Sequence, residues 1–221
     1  MKKNPLAIRL TLLIISTMFM ESCGLGMNSV KLSPTSLSEE SNLPTPALTF
    51  PELVKNISSD NMSIRLVSIY ALEDYGDLAE TVVPQLITSL YVDDFDVRRA
   101  SAYILGKLGY KAKSAVPALI YVLEYDDSLQ AREMAAIALG KIGDRSAVPS
   151  LATTLSEEES TMDKYVILIN CAKSIAYITG EGFTELDSLG YTLNQDGVPL
   201  IIMDARIWWE NDGQFQNWDG N

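Results

Sequence analysis

Histidine is absent from the 221 residues of this chain, and cysteine occurs only twice. The first absence removes the imidazole base, and with it Ser-His-Asp and Cys-His nucleophile pairs and every His-ligated metal site. Two cysteines allow at most one disulfide, too few for a disulfide-stapled scaffold. Basic side chains are scarce as well: 17 Lys and Arg stand against 29 Asp and Glu, a net charge of −12. Nucleic-acid binding needs clustered cations to neutralise phosphates, so that class is excluded. No phosphate-cradling loop is present, because the glycines of LGKLG (105–109) and LGKIG (139–143) lack its spacing. Asp93-Asp94-Phe95-Asp96 lacks the ligand spacing and the glycine of a calcium loop. The expectation is a chain with no cofactor, no metal and no catalysis of its own. What remains is a 47% hydrophobic composition, normal for a globular protein.

Residues 1–22 read as an address rather than as part of a fold. Lys2 and Lys3 precede an apolar stretch, Leu10 to Met20, that Glu21 ends before it could comfortably cross a bilayer. Ser22 and Cys23 follow. The basic start, short apolar core and small residue before a Cys resemble a bacterial lipoprotein signal peptide, although Met20 and Glu21 stand where that family usually carries Leu and a small residue. The resemblance implies cleavage before Cys23, lipidation of Cys23, and a place in the bacterial cell envelope. The protein would be held by its acyl chains to the outer membrane or to the outer face of the cell membrane. Losing Lys2, Lys3, Arg9 and Glu21 with the leader takes the net charge from −12 to −14, so anionic headgroups would add nothing to the anchor. One thiol, Cys171, would remain in an apolar helical run, as a buried structural group. Residues 23–49, from the lipidated Cys onward, are rich in Ser, Thr, Pro and Asn and read as a flexible tether.

From residue 50 the chain repeats itself. IRLVSIYALEDYG (64–76), VRRASAYILGKLG (97–109) and AREMAAIALGKIG (131–143) align without a gap, at periods of 33 and 34. Ile64, Val97 and Ala131 open a stripe that continues through Val67, Ala100 and Met134. It passes Ser68, Ser101 and Ala135, reaches Leu72, Leu105 and Leu139, and ends at Tyr75, Leu108 and Ile142. That spacing predicts one apolar helix face per unit. Gly76, Gly109 and Gly143 suit the residue that must turn left-handed to end a helix. Pro84, Pro117 and Pro149 suit the first turn of a second helix, where a missing N–H costs nothing. Asp60, Asp93 and Asp127 precede the first helices and are expected to cap them. Arg65, Arg98 and Arg132 recur five residues later. They read as an ion-pair ladder between units, with an anion site at the arginine column as the functional alternative.

The Asp-then-Val-Arg start, the Ala-rich helix ending in LGKLG or LGKIG, and the Ala-Val-Pro starts at 115–117 and 147–149 resemble HEAT-like repeats of the short type, as in phycobilin lyase subunits and many bacterial scaffold proteins. The resemblance implies an all-α, right-handed α-solenoid of antiparallel helix pairs over residues 50–180. Residues 181–221 would form a C-terminal cap built on a helix near Val198–Glu210 and on Trp208, Trp209 and Trp218. Two functions fit. The first is an exported, lipid-anchored scaffold that binds a protein partner through a concave face lined by second helices. Counting four and five residues on from each Pro nominates Thr88, Ser89, Tyr121, Val122, Thr153 and Thr154, with Tyr125 one turn beyond Tyr121. The second is a bilin lyase-like or other enzyme accessory subunit. Against it, pigment attachment in that family is cytoplasmic, whereas this leader points outward. A third surface, the C-terminal tryptophans, reads as a cap first and as an aromatic docking site second.

Overall fold

The computed structural model describes residues 48–92, 94–157, 161, 164–183, 193–194 and 197–219, all within one compact unit, Pro46–Asn221. The leader, Cys23 and nearly all of the tether lie outside the described residues. The described residues form helices joined by turns and loops, with one isolated bridge between Leu193 and Pro199. None of their helices is long and apolar enough to cross a membrane.

The chain opens with α1 (Phe50–Asn56), in which Glu52 Oε2 accepts the backbone N–H of Thr49 at 2.7 Å and so caps the first turn. Three helix pairs follow: α2 (Met62–Ala71) with α3 (Val83–Ser89), α4 (Phe95–Leu108) with α5 (Val116–Tyr125), and α6 (Leu129–Ile142) with α7 (Val148–Glu157). Among the described residues a fourth first helix, α8 (Tyr165–Thr179), is followed by no second helix of the repeat type. In its place α9 (Leu200–Asn211) packs against α8 and α7. This is an all-α solenoid of HEAT-like helix pairs with a C-terminal capping helix.

The repeat columns become the core. Leu72, Leu105 and Leu139 are fully buried, as are Ala100, Ala131, Ala135 and Ala138. Small residues let the first helices touch almost backbone to backbone: a methyl on Gly106 would sit 3.0 Å from Ala138 Cα, and one on Gly140 would sit 3.0 Å from Ser174 Cα. The first helices therefore form the tight layer, and the second helices stand further apart, with clefts between them. Gly109 holds φ 58° and ψ −138°, which only glycine adopts readily, and Gly143 ends α6 in the left-handed region at φ 76°.

Two expectations need correction. Ile64 and Val67 are exposed together with Met62 and Tyr70, not buried as their column predicts. Among the described residues no earlier first helix covers that side of the first full unit. The helix caps also fall one residue later than expected: Asn61, Asp94 and Ser128 accept the N–H groups of Ile64, of Asp96 and Val97, and of Ala131 respectively. An oxygen must stand two or three residues ahead of the N–H it accepts, and the later residue meets that condition. Asp93 lies outside the described residues.

The tryptophans close the end. Trp218 is buried, donates its indole N–H to the Gly213 carbonyl at 2.9 Å, and lies under the Arg145 guanidinium at 4.7 Å. Trp208 packs on Phe183, Trp209 and Trp218 at centroid distances of 5.8, 6.2 and 6.1 Å. Most of that aromatic surface is spent within the cap.

Candidate partner-binding face

The second helices carry the candidate residues, and the structure divides them. Thr88, Tyr121, Tyr125 and Thr153 are exposed, whereas Ser89, Val122 and Thr154 are buried at 5%, 1% and 4% exposure. One residue along a helix is a rotation of about 100°, so the second of each counted pair turns from the surface into the core. Ser89 also spends its hydroxyl on the carbonyl of Gln85, at 3.1 Å. Those three residues are removed from the candidate surface.

A tyrosine that the repeat count missed joins the remaining four. Tyr91 stands just beyond the end of α3, outside the counted helix positions. Its ring centroid lies 5.6 Å from that of Tyr121, which in turn is 5.3 Å from Tyr125. The three rings are 56%, 52% and 69% exposed and run continuously across two units. Tyrosine offers apolar area with a polar tip and few torsions to freeze, which suits protein recognition.

Beneath and beside this row lie three clefts, one for each repeat arginine. The first, of about 580 Å³, holds Arg65, Gln85 and Thr88. The second, of about 340 Å³, holds Arg98 with Tyr91, Tyr121 and Tyr125. The third, of about 390 Å³, holds Arg132, Thr153 and Glu157. Each arginine reaches back to the main chain at or just after the end of the preceding second helix: Arg65 to Ser59 O at 2.7 Å, Arg98 to Val92 O at 2.9 Å, and Arg132 to Leu123 O at 2.7 Å. Arg206 of α9 repeats the arrangement on Leu155 O of α7, at 2.6 Å. In α8 the place eleven residues before the closing glycine, where the column arginines stand, is taken by Ile169, which cannot do this. No spacing rule could have found Arg206, because α9 lies outside the repeat. Burial lowers the pKa of Arg206, with Glu210 acting against that shift.

The central arginine is also a rung between units. Arg98 Nε meets Asp126 Oδ2 at 2.6 Å, and its Nη2 meets Asp126 Oδ1 at 2.7 Å and Asp127 Oδ1 at 2.8 Å. The Asp126 hydrogen bond raises the Arg98 pKa. Burial pushes the Asp126 carboxyl up, but Arg98 and the Ser128 N–H prevail and hold it below the usual carboxylate value. A second set of links crosses the first helices: Glu73 pairs with Lys107 at 2.8 Å and accepts from the Tyr103 hydroxyl at 3.1 Å, and Asp144 pairs with Lys113 at 2.9 Å. Among the described residues no three carboxylate or thiol groups converge on a point where a metal could sit. Cys171 is buried in α8.

A family model described as HEAT repeats matches residues 83–169. No curated protein matches the chain. Among solved structures, the chain is similar to one in the complex of CpcE and CpcF of phycocyanin lyase from Nostoc sp. PCC7120. The identity is 26%, the TM-score 0.53, and the match covers 66% of this chain and 59% of that one. This protein thus carries HEAT-like repeats and shares its helical architecture with a lyase subunit whose length it only partly spans.

Proposed function

We propose that this chain is an exported, lipid-anchored scaffold that binds a protein partner through its second-helix face and carries out no catalysis itself. The observation that carries the reading is the continuous row Tyr91–Tyr121–Tyr125, exposed beside three clefts that each hold a repeat arginine. Thr88 and Thr153 extend that row at either end. The anchor rests on the leader and on Cys23. Export and anchoring are tested directly: Cys23→Ser should lose acyl labelling and leave the membrane fraction, and a wild-type chain that keeps residues 1–22 and carries no lipid would refute them.

The binding face is tested by affinity capture from cell envelopes. Thr88→Glu combined with Tyr121→Glu should abolish capture of the partner while leaving helical circular dichroism unchanged. Retained capture, together with its loss in Trp208→Ala or Trp209→Ala, would move the site to the C-terminal cap.

The similarity to a phycocyanin lyase subunit favours a second reading, an accessory subunit that pairs with another solenoid. Its distinguishing result is capture of a second helical-repeat subunit together with a bilin-attachment activity that neither chain shows alone.

A further inference from the structure

The three clefts of the second-helix face share one balance of charge. In the first, Arg65 stands with Asp60 and Asp94. In the second, Arg98 stands with Asp126 and Asp127, and in the third, Arg132 stands with Glu124 and Glu157. Each cleft therefore sets two carboxylates against one guanidinium, and among the described residues no lysine lines any of them. Lys107, Lys111, Lys113 and Lys141 stand instead at the ends of first helices or in the link after α4. The surplus acid also reaches solvent. Asp127 meets Arg98 yet keeps 92% of its side chain exposed, and Glu157 is exposed as well.

The tyrosines are the partitions of this series. Tyr91 lines both the first cleft and the second, and Tyr125 lines both the second and the third. Cleft and ring thus alternate in a single track across the second helices. The face of a tyrosine ring attracts a cation, and so does a surplus carboxylate beside it. Two ring spacings, of 5.6 and 5.3 Å, carry the row from Tyr91 to Tyr125. An extended chain covers that reach in three residues, at about 3.3 Å each. We propose that the partner presents an extended basic segment to this track, with a Lys or Arg at every third residue entering successive clefts. The inference rests on the second-helix face being the partner-binding one. The methylene stems of those side chains lie on Tyr91 and Tyr125, and their charged heads reach the carboxylates.

The test is fluorescence anisotropy of labelled nonapeptides titrated with the full chain in ~0.15 M salt. One peptide carries Lys at its first, fourth and seventh positions among serines. A second has the same composition with its lysines adjacent, and a third has Glu in place of Lys. The spaced peptide should bind more tightly than the adjacent one by on the order of tenfold, and the Glu peptide should not bind. Asp127→Asn/Glu157→Gln and, separately, Tyr91→Ala/Tyr125→Ala should each weaken the spaced peptide by on the order of tenfold. Asp77→Asn/Glu80→Gln removes as much charge from the link between α2 and α3 and should leave binding unchanged. All these side chains are exposed, so the variants should keep the fold. Equal binding of the spaced and adjacent peptides, an equal loss in Asp77→Asn/Glu80→Gln, or full binding without the two rings would overturn the proposal. The Thr88→Glu/Tyr121→Glu variant lacks the middle ring, so it should lose a basic partner as well. Lost capture in that variant without any peptide binding overturns the basic segment and keeps the face. Retained capture overturns the face itself.

Discussion

A hydroxyl sealed inside an apolar layer destabilises the fold unless some oxygen accepts its proton. Ser68 and Ser101 are fully buried, and neither hydroxyl finds a partner. The third unit carries Ala135 at the same place, where the helices pack just as closely. Ser101→Ala should therefore raise stability by about 1 kcal/mol in chemical denaturation, the usual scale for an unmade hydrogen bond. A loss of similar size would show that the hydroxyl does have an acceptor. Legibility is uneven at this scale. Leu72, Leu105 and Leu139 could be read from the period alone, because a full apolar column has one place to go. Ser89, Val122 and Thr154 could not, since a single step along a helix separates surface from core. The orphaned Arg65 Nε was beyond any pattern. It shows only in the folded structure, where that atom is enclosed with no acceptor in reach.

Helices α4, α6 and α8 are spaced by glycine rather than by leucine. Ser174 of α8 donates to the Ala136 carbonyl of α6 at 2.8 Å, directly over Gly140, where an added methyl would lie 2.7 Å from Ser174 Cβ. Gly140→Ala gains about 1 kcal/mol of helix propensity but forces backbone apart. We expect a net loss of about 1–3 kcal/mol, as for other overpacked cores. Thermal unfolding would check it, and an unchanged midpoint would mean that α8 slides to accommodate the methyl. The existence and order of the helices were plain from Pro, Gly and the apolar stripe. Their caps were misplaced by one residue, because Asp60 and Asp127 have neighbours, Asn61 and Ser128, that cap equally well and stand at the right distance. The end of the repeat was less legible. Arg206 does for α7 what the column arginines do for earlier helices, and only the packing of α9 on α7 reveals it.

Acid should act on the whole molecule through the joints between its units. Asp126 and Asp144 are both pushed up by burial but held below the ordinary carboxylate value, Asp126 by Arg98 and the Ser128 N–H, Asp144 by Ser146 and Lys113. A carboxyl whose folded pKa is depressed contributes its stability above the unfolded value of about 3.9, and loses it as pH falls through the folded pKa. Protonation also relieves the repulsion of a chain with net charge −12, so the raw acid curve mixes two effects. The difference between the wild type and Asp126→Asn/Asp144→Asn isolates the joints. Wild type should lose its advantage below pH ~4, and a difference that stays constant with pH would contradict the assignment. The joints are also unequal in strength. From α4 to α8 the body is interlocked at Gly106, Gly140 and the Arg98–Asp126 rung. The first unit has, among the described residues, an uncovered apolar side and, at its start, Phe50 against Tyr75 with one Tyr75 hydroxyl bond to the Leu48 carbonyl. Under a pulling force applied at residue 48 this unevenness should act as a mechanical fuse: we expect α1 to α3, tied to the second unit by the Glu73–Lys107 and Asp77–Lys111 pairs, to open before the block behind them, and single-molecule pulling that shows one all-or-none event would contradict it.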